Sequence, residues 1–318
     1  MNDHLYQFFL TEIQKAFPKS SVMVNTLADI LRIEKGAVYR RLRQDVPFTF
    51  NEIAIIAKHL NISLDSMIGI TTRNIIPFQS LLPDFISPQE ADYNMLEMYT
   101  KFLQSINQSE NSETISIVNL LPHELFGDYQ HLFLFYLFIW NYLYYNDKKP
   151  FNQISTSPKM NRFLKVYALE MKKFKKTSII LDNRVFQLFA NDINYFYNIR
   201  LIEKEDILKI KEDLFSLIDY IEKIAITGQF QETGNSVSLY ISDIDIATNY
   251  TYWESENIHL CMVKMFLLCS VSSMDESTFE RMKKWIHSYI KTSTLITLTN
   301  EKQRVLYFEK QRKIIDEL

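Results

Sequence analysis

Thr26–Arg43, TLADILRIEKGAVYRRLR, reads as two short helices joined by a tight turn. Leu27, Ala28, Ile30 and Leu31 give the first helix an apolar stripe, Arg32-Ile33-Glu34 make the turn, and Val38 and Leu42 face inward from the second helix at i, i+4 spacing. Ala28 is small where the two helices must cross. The opposite face of the second helix carries Lys35, Gly36, Tyr39, Arg40 and Arg43. Lys35, Arg40 and Arg43 can neutralise phosphates or bind guanine bidentately, and Tyr39 can reach a phosphate or a thymine methyl. Gly36 permits close approach at the helix start, where the dipole also favours a phosphate. Such a face is what major-groove reading requires. The plainer reading of any charged helix face is that it is solvated.

The flanks extend this into a small domain. His4–Phe17 places Leu5, Phe8, Phe9, Glu12, Ile13 and Ala16 in helical register. Thr49 and Glu52 form a T-x-x-E capping box that starts a helix near Phe50, with Ile53, Ile56, Ala57 and Leu60 on one face and Asn61 at its end. Ser63 caps a last short helix with Leu64, Met67 and Ile68 inward, closed by Gly69. Through Leu27-Ala28, Val38-Tyr39-Arg40, Leu42 and the closing SLDSMIG, residues 1–70 resemble the lambda-repressor/Cro-type (Xre) helix-turn-helix family of transcription regulators. The resemblance covers about a fifth of the chain. It implies a five-helix domain that binds double-stranded DNA, usually as a homodimer on paired half-sites. It places Lys35, Gly36, Ala37, Tyr39, Arg40 and Arg43 on the recognition helix. Two positions depart from the family: Arg32 stands where Gly is frequent in the turn, and Glu34 where Ser or Thr often caps the recognition helix.

The 318 residues suffice for two or three domains, and a hydrophobic fraction of 47% supports a sizeable core. A formal net charge of −3 excludes a globally basic, DNA-coating protein, so DNA contact must come from a local patch. Cys261 and Cys269, without C-x-x-C spacing, read as buried free thiols of a cytoplasmic protein. The first residues lack the apolar run of a signal peptide. Leu132–Trp140, LFLFYLFIW, is too short to span a membrane and reads as a buried core helix, with a homodimer interface as the alternative.

Beyond a linker at 71–87 the pattern is mainly helical. Ser87-Pro88-Gln89-Glu90 starts a helix that runs to Asn107, after a polar break an aromatic helix spans Pro122–Asn146, and further helices cover Lys159–Lys176, Asp182–Tyr197 and Lys204–Thr227, the last ended by Gly228. Ser236–Ile244 and Ile246–Trp253 are rich in β-branched and aromatic residues, with Val237, Leu239 and Ile241 alternating, and the intervening Asp243–Asp245 is turn-like, which reads as a β-hairpin. Ile258–Val271 is a third strand or a buried helix, and Met274–Lys291 and Glu301–Leu318 are helical. The expectation is a mainly α protein: the five-helix domain (1–70), the linker (71–87), a helical domain (88–228) and a small α+β unit (229–318), the last two either separate or continuous. No repeat near 34 residues is present.

Little else points to chemistry. Lys159, Arg162, Lys165, Lys172, Lys173, Lys175 and Lys176 against one acid, Glu170, make either an anion-binding patch or a solvated helix face. Glu256 and His259 have a single E-x-x-H spacing, whereas a di-iron bundle needs two plus further carboxylates. His123-Glu124 reads as a helix-start pair. The five glycines form neither G-x-G-x-x-G nor a P-loop, and no G-x-S-x-G elbow occurs. The expectation is therefore a non-enzymatic, sequence-specific DNA-binding transcription regulator without metal or cofactor, working in the cytoplasm, away from membranes. Its C-terminal region dimerises or senses a small-molecule or peptide effector. The alternative is a ligand- or peptide-sensing interaction protein whose helix-turn-helix only targets it.

Overall fold

Residues 3–17, 19–60, 62, 64, 78–80, 83–265 and 269–318 are described by a computed structural model. The chain divides into two units, Met1–Pro77 and Phe78–Leu318.

In the first unit four helices, α1 (Asp3–Lys15), α2 (Ser20–Leu31), α3 (Lys35–Leu42) and α4 (Phe50–Leu60), surround a core that includes Phe9, Ile13, Val24, Leu27, Ala28, Val38, Phe48 and Ile56. Apolar residues at helical spacing pack against each other here because no single helix this short is stable alone. Phe9 meets Phe48 edge-on at 6.3 Å between ring centroids. The expected capping box forms, with the Thr49 N–H donating to Glu52 Oε2 at 2.7 Å and the Glu52 N–H to Thr49 Oγ1 at 3.3 Å. The helix expected after Ser63 lies outside the described residues.

The second unit overturns the mainly-α expectation. Its centre is a mixed sheet that, among the described residues, has eight strands: β1 (Gln79–Ser80), β2 (Glu113–Val118), β3 (Lys176–Asp182), β4 (Ser236–Ser242), β5 (Tyr250–Glu254), β6 (His259–Lys264), β7 (Ser270–Ser273) and β8 (Ser293–Leu295), in the order β1-β7-β6-β5-β2-β3-β4-β8. β2, β3 and β4 are parallel neighbours, while β5, β6, β7 and β1 extend the sheet antiparallel on one side and β8 on the other. The hairpin expected at 236–253 does not form. Both segments are strands, but β4 pairs with β3 and β8, and β5 with β2 and β6. The segment at 258–271 contributes the strands β6 and β7 rather than a helix.

The helices are α5 (Glu90–Asn107), α6 (His123–Phe126), α7 (Gln130–Tyr144), α8 (Pro158–Met171), α9 (Val185–Asn198), α10 (Lys204–Thr227), α11 (Glu276–Lys291) and α12 (Glu301–Asp316). The crossovers β2→β3, through α6–α8, and β3→β4, through α9 and α10, both step the same way along the sheet. Right-handed crossovers then put their helices on one face. Ile179, Leu181, Val237, Leu239 and Ile241 pack there against the helical layer, in which Phe135, Tyr136, Leu137 and Phe138 of α7 are fully buried. The other face carries Ile115, Ile117, Ile180 and Tyr252 beneath Phe279 and Ile286 of α11. The aromatic stretch expected as one helix is broken at residues 127–129 into α6 and α7.

Candidate nucleic-acid interface and a partly open cavity

α2 ends at Arg32, which adopts the left-handed conformation (φ 54°, ψ 44°) that glycine adopts without cost. The Ile33 N–H donates to Ala28 O at 3.1 Å, closing the turn. So Arg32, although a departure in residue type, performs the backbone role of a turn glycine. Glu34 is the N-cap of α3 with extended backbone, and its side chain makes no cap hydrogen bond among the described residues.

Val38 is fully buried against α2, and this orients α3. Lys35, Gly36, Tyr39, Arg40 and Arg43 are exposed, and Ala37 is half-buried. A Cβ placed on Gly36 meets nothing within 4 Å, so packing inside the unit does not demand glycine there. Arg40, Arg41 and Arg43 have separate fates. Arg41 turns inward and binds Glu52 through Nε at 3.0 Å and Nη2 at 2.7 Å, with little of either side chain exposed. Burial alone would raise the Glu52 carboxyl; hydrogen bonds from Arg41 and Thr49 outweigh it and hold it below the ordinary carboxylate range. Arg43 makes only an exposed contact with Asp45 at 3.3 Å, and Arg40 stays at the surface. The outward face thus offers two guanidiniums, an ammonium and a phenol, while the third guanidinium is committed to the fold.

In the second unit a cavity of about 210 Å³ lies on the helix-bearing face at the β2–β5 junction. This junction, where parallel pairing gives way to antiparallel, is the kind of place where an open sheet leaves a crevice beside the carboxyl end of a strand. The floor is a row of directly paired residues, Ser116, Thr251, Met262 and Ser272, running across β2, β5, β6 and β7. Thr251 Oγ1 donates to Ser116 Oγ at 3.0 Å. Toward the carboxyl end of β2 the polar groups Asn249, Lys264, Ser270 and Glu124 stand among apolar Val118, Leu121, Pro122 and Phe126. The Lys264 N–H donates to Asn249 O at 3.0 Å, and Asn249 Oδ1 accepts from the Asn119 N–H at 2.9 Å. In the other direction the wall is aromatic: Trp253 lies 5.4 Å from Tyr99, Tyr99 stacks on Tyr167 at 6.2 Å, and Tyr167 on Phe163 at 6.2 Å.

Glu124 and Lys264 are the charged groups of this lining. Burial raises the Glu124 carboxyl, against the opposing charges of Lys264 and Lys172. Burial lowers the Lys264 ammonium to about 8, with the Glu124 charge acting the other way. They act on each other through space rather than as a direct ion pair among the described residues. Cys269 also lines the cavity, its thiol pushed up by burial to about 11.

No protein-family model, curated protein or solved structure matches this chain. The two sites therefore stand on their own residues.

The remaining candidates are scattered by the fold. The basic run at 159–176 does not present one face: Lys172 is buried on Glu232 at 2.6 Å, Lys173 binds Glu170 at 2.7 Å, and Lys159 sits over the Tyr93 ring at 4.2 Å. His259 binds Glu276 through Nδ1 at 2.7 Å, and among the described residues no group of three or more His, Cys, Asp or Glu is arranged to hold a metal ion. Among them, too, no helix is long and apolar enough to cross a membrane. Glu124 was legible only as a helix-start residue. The signal that could have marked it is its position just past a buried strand, which requires recognising ETISIV as β2.

Proposed function

We propose that the chain is a sequence-specific DNA-binding transcription regulator acting in the cytoplasm. Helix α3 enters the major groove, Arg40 and Arg43 contact guanine or phosphate, Tyr39 contacts phosphate or a thymine methyl, and Lys35, Gly36 and Ala37 approach the backbone at the helix start. A homodimer presents two such helices to paired half-sites. The observation that carries this reading is the division of labour on α3: Val38 and Arg41 are committed to the domain, while Lys35, Tyr39 and Arg40 have no structural duty among the described residues. The second unit supplies dimerisation or effector sensing.

The test is selection of duplex DNA on the full chain, followed by fluorescence anisotropy at fixed salt. Arg40→Ala and Arg43→Ala should each cost about 1–3 kcal/mol where the contact is bidentate to guanine, and weaken all sequences alike where it is to phosphate. Unchanged affinity in the double variant refutes the reading. A second reading, an interaction protein that its helix-turn-helix merely targets, draws on the cavity of the second unit. It predicts ligand binding without selection of any DNA sequence.

A further inference from the structure

We propose that the cavity at the β2–β5 junction binds a small zwitterion, an α-amino acid with an apolar side chain. Its ammonium faces Glu124, its carboxylate faces Lys264, and its side chain lies along the aromatic wall.

Three observations carry this. First, Glu124, Lys264, Asn249 and Ser270 lie past the carboxyl end of β2 among apolar Val118, Leu121 and Phe126, and an aromatic wall of Trp253, Tyr99, Tyr167 and Phe163 extends from them. The matching ligand carries its polar head and apolar body at opposite ends. Second, the two charged groups have opposite sign and are not spent on each other. A lone carboxylate on Lys264 would stand against Glu124, and a lone amine on Glu124 would stand against Lys264. A zwitterion satisfies both, and leaves no buried charge unpaired. Third, about 210 Å³ is room for on the order of ten non-hydrogen atoms, enough for one amino acid. The hydroxyls of Ser270 and Ser272 and the Asn249 amide supply further partners for the head.

This inference does not rest on DNA binding, and its test contains no DNA, so either can fail alone. Isothermal titration of the full chain uses L-leucine, L-isoleucine, L-methionine and L-phenylalanine as probes. Two analogues that each lack one charge, 3-phenylpropanoate and phenethylamine, are run beside them. The expected result is a dissociation constant below about 1 mM for at least one amino acid, with both analogues at least about tenfold weaker than L-phenylalanine or not binding. Glu124→Gln and Lys264→Met, checked for folding by circular dichroism, should each weaken the best amino acid by about tenfold or more. The proposal is overturned if none of the four amino acids binds, or if either analogue binds as tightly as L-phenylalanine. The analogue comparison uses the unaltered chain, so it decides the matter even if a variant fails to fold.

Discussion

Lys264→Met should remove a specific pH dependence from the stability of the second unit. In the folded chain burial lowers the ammonium to about 8, from the 10.5 it has when solvated. Between those values the unfolded chain binds more protons, so stability rises with pH across the window. Below about pH 8 both states are protonated, and the full cost of burying the charge is present. At about 1.4 kcal/mol per pH unit, the recovery is about 1.4 kcal/mol by pH 9 and about 3 kcal/mol by pH 10.5. Residual solvent at the half-buried lysine trims the total to about 1–3 kcal/mol. Other groups move oppositely: Cys261 and Cys269, raised to about 11, make the folded state hold protons longer and lower stability as pH climbs past 9. The difference between the native chain and Lys264→Met cancels most of that. Urea unfolding followed by tryptophan fluorescence is the assay, because Trp140, Trp253 and Trp285 all lie in the second unit. A difference curve that is flat from pH 7.5 to 10.5 would show a freely solvated amine and refute the buried-charge account of the cavity.

Three further outcomes are expected. Gly36→Ala should stabilise the first unit by about 0.5–1 kcal/mol, since its Cβ meets open space in a helix, while weakening DNA binding if the helix start approaches the backbone closely; thermal unfolding and anisotropy on the same variant separate the two effects. Gln311→Leu should stabilise the second unit by about 1–2 kcal/mol, because Gln311 is fully buried on α12 with neither amide atom partnered among the described residues; an unchanged or lowered urea midpoint would contradict this. Glu232→Ala should cost about 3–5 kcal/mol and Lys172→Met clearly less, because only the first strands a buried ammonium; equal losses in urea unfolding would count against the pair's role.

Legibility differed sharply between the two units. In the first, the spacing of Leu27, Ala28, Val38 and Leu42 and the Thr49–Glu52 box are local signals; α3 and α4 lie close to where those signals put them, while α2 begins at Ser20, ahead of Thr26. In the second, ETISIV and KTSIILD are buried on both faces, as parallel strands are, and the brief alternation of Thr114-Ile115-Ser116-Ile117 is too short to announce a strand between helices. Val237, Leu239 and Ile241 did alternate, and both segments hold strands, but the turn-like residues between them suggested a local partner where the true partners are distant in sequence. The cavity was invisible for the same reason. Ser116, Thr251, Met262 and Ser272 become neighbours only through sheet register, and Glu124 and Lys264 meet only because α6 follows β2.

What the sequence alone determined is what acts over a few residues: helix faces, caps, the break at Arg32, and the exposed cations of α3, because a helix brings i and i+4 together without help from the rest of the chain. Tertiary structure alone decided the eight-strand sheet of the described residues, the turning of Arg41 into the domain while Arg40 stays outside, and the placing of one acid and one amine in the lining of one cavity. Those depend on contacts such as that of Arg41 with Glu52, 11 positions away, and of β2 with β5, more than a hundred positions away. Their formation is set by which buried strands find each other, and no local pattern records that choice.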